Sequence, residues 1–240
     1  MIKAYNVINN RSADEQVAQS VAAVTGMLRV LGIDYAVFGS CGIQTYFKHF
    51  FRLPNDIDII VRNDAVSALR AYCAEEGHEF IEEFGRSKMY FGGFPVHIIP
   101  GLFSSINKAT NMIFAQIDLG GSISDTVGRR MRLPCATSEP EIKVAPLELC
   151  LFMDLLRTVN TKSLMTVFFV FRHLDIDDRK FWAIVYDNCA FAETIRRRLE
   201  EYPAKLNEVG HFSDEGVLFA QTKMSKLRRF IEVAGTRVIE

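Results

Sequence analysis

Apolar residues at Val17, Val21, Val24, Met27, Leu28 and Leu31 recur at helical spacing, which predicts a helix over residues 13–31. Ser12 with Glu15 three residues on reads as its capping box, and Gly32 as its stop. A short apolar run, residues 35–38, reads as a strand closed by Gly39. Residues 41–51 read as a helix broken near Pro54, and residues 57–61 as a second strand. Asn63 reads as the N-cap of a helix over 64–76, with Gly77 ending it. Residues 88–91 and 95–99 flank Gly92-Gly93, a hairpin signal. Residues 101–127 mix a Ser/Asn-rich stretch, an apolar patch and Gly120-Gly121, and no element is assigned to them. Short strands are expected at 131–135 and 142–145. From Pro146 onward the pattern is helical, with candidates at 147–159, 164–173, 179–188, 190–202 and 213–233. The expected organisation is α+β: a mixed sheet flanked by helices in residues 1–145, then a helical domain in residues 146–240.

Composition narrows this only a little. With 49% hydrophobic and 24% charged residues, the chain is built to bury a core. A net charge of -1 excludes a global basic field for nucleic acid but not a local patch. Five widely spaced cysteines without a CxxC pair argue against a disulfide framework or a zinc site. The first residues lack an apolar signal core, and residues 147–171 are interrupted by Glu148, Asp154, Arg157 and Lys162. The expectation is therefore a cytoplasmic protein with no membrane span.

The chemistry gathers around residues 38–61. Asp56 and Asp58 are two apart, so a strand points both to one face, among Ile57, Ile59 and Ile60. Adjacent carboxylates in a partly dry place repel each other unless a cation lies between them. Oxygen ligands on a rigid strand suit Mg²⁺ (or Mn²⁺), which also binds substrate phosphates. Gly39-Ser40, between a strand and a helix, presents backbone N–H groups and a hydroxyl at a positive helix end, a place for phosphate. Together these make a metal–triphosphate site, whose chemistry is phosphoryl or nucleotidyl transfer. Plainer readings stand beside it. Asp56 as a turn residue, Gly39 as a turn glycine and Ser40 as an N-cap each explain one residue alone. Cys41 sits where a helix end lowers a thiol pKa, but no histidine partner accompanies it. Arg196, Arg197 and Arg198 read as a solvated helix face or a polyanion contact, and Phe168, Phe169 and Phe171 as packing.

Strand, Gly-Ser, helix, then an Asp-x-Asp strand about sixteen residues on resembles the nucleotidyltransferase superfamily with the polymerase-beta-type fold. The form RLPNDID, from Arg52 to Asp58, resembles AbiEii-type toxins and the aminoglycoside and lincosamide nucleotidyltransferases. The resemblance implies transfer of a nucleoside monophosphate from an NTP to a hydroxyl on a small molecule or RNA. It implies that Gly39, Ser40 and Arg52 contact the nucleotide and that Asp56 and Asp58 bind metal. The family's third carboxylate falls in GGFPVHIIPG, where His97 stands between Val96 and Ile98. A histidine there has the chemistry of a general base and is a poor partner for two magnesium ions. AbiEii-type relatives carry a lysine on the first C-terminal helix and a Lys-Asp pair soon after. Here Asp154 and Lys162-Ser163 occupy those places, leaving Arg157 and Lys162 as phosphate contacts. The alternative is a degenerate nucleotidyltransferase that binds nucleotide or a protein partner without turnover. A toxin-like member with an antitoxin partner is a third.

Overall fold

The structure, a computed structural model, describes residues 11–47, 53–83, 86–91, 94–107, 112–157, 159–209 and 213–236. The chain divides between Pro146 and Leu147 into two compact units. The first runs α1 (Arg11–Val30), β1 (Tyr35–Phe38), α2 (Gly39–Tyr46), β2 (Ile57–Val61), α3 (Ala65–Glu76), β3 (Phe80–Glu83), β4 (Arg86–Phe91) and β5 (Phe94–Pro100). It continues through β6 (Leu102–Asn107), β7 (Met112–Asp118), α4 (Gly120–Ser124), β8 (Val127–Arg130) and β9 (Glu141–Val144). The second is helical: α5 (Leu147–Leu156), α6 (Thr161–His173), α7 (Asp178–Asp187), α8 (Ala192–Val209) and α9 (Asp214–Thr236). The fold is α+β.

Seven strands form one mixed sheet in the order β3-β4-β5-β2-β1-β9-β8, and β6 and β7 pair separately. β2 is central and buried along its whole length. Burying Ile57, Ile59, Ile60 and Val61 contributes about 1.5–3 kcal/mol each, enough to hold one buried carboxylate on the same strand. That carboxylate is Asp58. Antiparallel pairing sets Phe38 of β1 opposite Asp58, parallel pairing sets His97 of β5 on its other side, and antiparallel pairing sets Lys88 of β4 opposite His97. Register partners share a face, so one row across the sheet reads Phe38, Asp58, His97, Lys88.

Several expectations need correction. Residues 131–135 are not a strand. Met131 and Leu133 are buried, but Pro134 has no N–H to give a ladder and the Cys135 N–H donates to Asp14 Oδ2 at 2.7 Å. Thr137 N–H donates to Glu15 Oε2 at 2.8 Å, so this loop docks on the first turn of α1. Glu15 is thereby taken from the expected capping box, and Ser12 lies inside the helix. Asn63 does not cap α3. Asp64 holds the cap position, and the Asn63 amide instead brackets Leu102, accepting its N–H at 3.0 Å and donating to its carbonyl at 2.9 Å. α2 begins at Gly39, two residues early, and residues 48–52 lie outside the described residues. α5 stops at Leu156 because Asn160 opens α6 with a capping box to Ser163. Residues 101–127 hold β6, β7, α4 and the start of β8.

Candidate functional site

The site is built where β1 turns into α2. Gly39 has φ +64°, a left-handed conformation that side chains resist. A second reason for glycine is stronger. A Cβ added at Gly39 would collide with Oδ2 of Asp58. The Gly-Ser turn and the second aspartate are therefore in van der Waals contact, not merely near in sequence. No side chain caps α2 at Phe38. Ser40 is buried at the start of that helix.

α2 is pinned along its length. The Cys41 thiol donates to the backbone carbonyl of Asp56 at 3.3 Å, fixing the entry into β2. Gln44 donates to the Arg132 carbonyl at 3.1 Å, and Tyr46 donates its hydroxyl to the Ala145 carbonyl at 3.3 Å. Cys41 is thus a buried structural thiol that positions Asp56, which answers the nucleophile reading.

Asp56, Asp58 and His97 converge. His97 Nδ1 lies 3.0 Å from Asp58 Oδ1 and 3.9 Å from Asp56 Oδ2. One donor atom from each of the three residues lies within 4.8 Å of the others. Two carboxylates at that range repel by roughly 1–3.5 kcal/mol, between water-like and surface-like screening. The arrangement is held against this cost by the strands beneath it. Exposure is graded: the side chains are 9% exposed for Asp58, 22% for Asp56 and 36% for His97. The cluster is anchored at Asp58 and open at the histidine. The His97 ring is bonded to a carboxylate.

The structure brings Gly39, Asp56, Asp58 and His97 together, with Ser40 next in the chain. Arg52 lies outside the described residues. Arg157 and Lys162 belong to the second unit. Arg157 follows α5 and pairs with Asp154 at 3.4 Å, and Lys162 sits in the first turn of α6. Arg196, Arg197 and Arg198 are each paired with glutamates on their own helix; Arg197 is exposed, whereas the Arg198 side chain is largely buried. Lys88 was missed. It stands opposite His97 on the same face, its ammonium 4.5 Å from the centre of the Tyr90 ring. The signal was present. Phe91 pairs with Phe94, and counting back from that pair sets Lys88 opposite His97.

No family model matches the chain, and no curated protein sequence matches it. Among solved structures the chain is similar to the lincosamide antibiotic adenylyltransferase LnuA in its lincomycin-bound form, at 12% identity and TM-score 0.41 over 60% of this chain and 90% of that one. It is similar to the antibiotic-resistance factor ANT(2'')-Ia, at 12% identity and TM-score 0.42 over 82% of this chain and 97% of that one. It is also similar to a tRNA nucleotidyltransferase complexed with a primer tRNA and an incoming ATP analog, at 14% identity and TM-score 0.36 over 85% of this chain and 60% of that one.

Proposed function

We propose that this chain binds a nucleoside triphosphate with a divalent cation and transfers the nucleoside monophosphate to a hydroxyl acceptor. The observation that carries the reading is the contact of Gly39 with Asp58. A turn suited to phosphate and a carboxylate suited to a cation share one point in space. A triphosphate laid on the first turn of α2 meets backbone N–H groups at the positive helix end, with the Ser40 hydroxyl beside them. Asp56 and Asp58 hold the cation, which supplies charge to the phosphoryl oxygens when bound. Cys41 and the β1–β2 pairing hold the backbone that carries the two carboxylates, which limits the reorganisation needed when substrate arrives. Lys88 adds a second positive group on the same face.

The test is incubation of the protein with each labelled NTP, Mg²⁺ or Mn²⁺, and hydroxyl acceptors that include the antibiotic and tRNA classes named for the similar structures. Label transferred by wild type and lost in Asp56→Ala and Asp58→Ala supports the reading. The same blank result from all three proteins across the panel ends it. A second reading is binding without turnover, favoured by His97 Nδ1 lying against Asp58. The His97 Nδ1 contact occupies Asp58 Oδ1 without any metal. It predicts that NTP raises the melting temperature while no label moves, and that His97→Asp switches transfer on.

A further inference from the structure

We infer that His97 is the third protein ligand of the cation, and that the site selects a first-row transition metal such as Mn²⁺, Co²⁺ or Zn²⁺ over Mg²⁺. The inference deepens the proposed function and rests on Asp56 and Asp58 facing a cation. It begins from the donor set: two carboxylate oxygens and one imidazole nitrogen on one patch of sheet. Magnesium takes oxygen ligands, whereas imidazole suits the later first-row dications. The position of the ring adds to this. His97 presents Nδ1 to both carboxylates, at 3.0 Å from Asp58 Oδ1 and 3.9 Å from Asp56 Oδ2. Donors at right angles around an ion with bonds of about 2.1 Å lie about 3.0 Å apart, so the Nδ1 and Oδ1 spacing suits neighbouring positions of an octahedral ion. Two neighbouring strands carry the donors: Asp58 lies on β2, Asp56 immediately precedes it, and His97 lies on β5. The graded exposure leaves the side near His97 open, where substrate oxygens complete the coordination. As a ligand, the ring carries its proton on Nε2 and gives the Nδ1 lone pair to the metal.

The experiment uses the whole chain freed of metal. Co²⁺ binding is followed by visible absorption, Mn²⁺ binding by loss of the free-ion EPR signal, and Mg²⁺ binding by competition with Mn²⁺. Mg²⁺ is expected to displace Mn²⁺ only at an excess of about 100-fold or more. Pulsed EPR of the bound Mn²⁺ is expected to show the nitrogen coupling of a directly bound imidazole. His97→Asp, checked for folding by circular dichroism, should lose that coupling and bring Mg²⁺ and Mn²⁺ to within about threefold. Asp58→Asn should abolish the Co²⁺ spectrum. Equal affinity for Mg²⁺ and Mn²⁺ in wild type overturns the inference, as does bound Mn²⁺ without nitrogen coupling or no metal binding at all. In the second case His97 keeps its Nδ1–H on Asp58 and acts as a base through Nε2. The two readings fail separately: selective metal binding without label transfer ends the proposed function alone, and transfer supported equally by Mg²⁺ ends this inference alone.

Discussion

Glu148 in the helical unit and the Asp56/Asp58 pair in the sheet unit are acidic groups held for opposite reasons. In the helical unit, Glu148 is 7% exposed and accepts the backbone N–H of Asp177 at 2.9 Å. Asp177 in turn caps α7 through the N–H groups of Arg179 and Lys180. Asp154 pairs with Arg157. These carboxylates tie backbone and helix ends, and the fold gains from their charge. In the sheet unit, Asp56 and Asp58 point at each other and at His97. Two carboxylates this close repel each other, a cost that a bound cation would relieve. A buried charge that stabilises its surroundings reads as architecture. A pair that costs stability reads as function.

The largest expected effect lies on the costly side. Asp58→Asn should reduce NMP transfer by about a thousandfold or more, the scale of losing the charge stabilisation a held cation supplies. Radiolabel transfer measures it, and transfer within tenfold of wild type would break the contrast. Gly39→Ala comes next. Positive φ alone costs about 1–2 kcal/mol, and the collision with Asp58 must also be relieved by displacing the carboxylate. Chemical denaturation should show that loss together with a loss of NTP binding. A smaller and purely structural effect is expected in the other unit: Glu148→Ala should destabilise by about 1–3 kcal/mol, leaving the Asp177 N–H without its acceptor. Asp56→Asn, by contrast, should not destabilise the fold and should raise its stability by up to about 1–3.5 kcal/mol, the repulsion it relieves, while transfer falls. If Asp56→Asn proves as destabilising as Glu148→Ala, the two kinds of carboxylate are not distinct.

The smallest effect is a pH dependence at the edge of the sheet unit. The backbone N–H and hydroxyl of Thr137 hold the Glu15 carboxyl below its ordinary value of 4.5. A depressed folded pKa means that the contribution is present above the unfolded value and lost as pH falls through the folded one. The melting temperature of wild type should therefore exceed that of Glu15→Gln near neutrality, and the gap should close in acid.

How much of this was legible depended on whether a residue's neighbours are local. β1 and β2 match their expected bounds because β1 is an apolar run closed by Gly39, and β2 is apolar but for Asp58 and follows the Asn55-Asp56 turn. β8 was hidden because VGRR is largely exposed and shows no apolar alternation. Residues 131–135 misled because Met131 and Leu133 are buried as a strand's would be, while their neighbours' backbone bonds go to acidic side chains on α1. The aspartates and His97 were visible as residues. Their meeting was not, because it depends on the parallel pairing of β2 with β5, strands separated by more than thirty residues. The contact of Gly39 with Asp58 likewise appears only once β1 and β2 are paired.

The central claim is that Gly39-Ser40 and Asp56/Asp58 form one nucleotide and metal site. The direct measurement is a crystal grown with Mn²⁺ and a non-hydrolysable NTP, with the ion located by its anomalous scattering. The account predicts an anomalous peak between Asp56 and Asp58, with the triphosphate lying on the first turn of α2. A triphosphate bound elsewhere, or the turn occupied with no peak at the two aspartates, would contradict it.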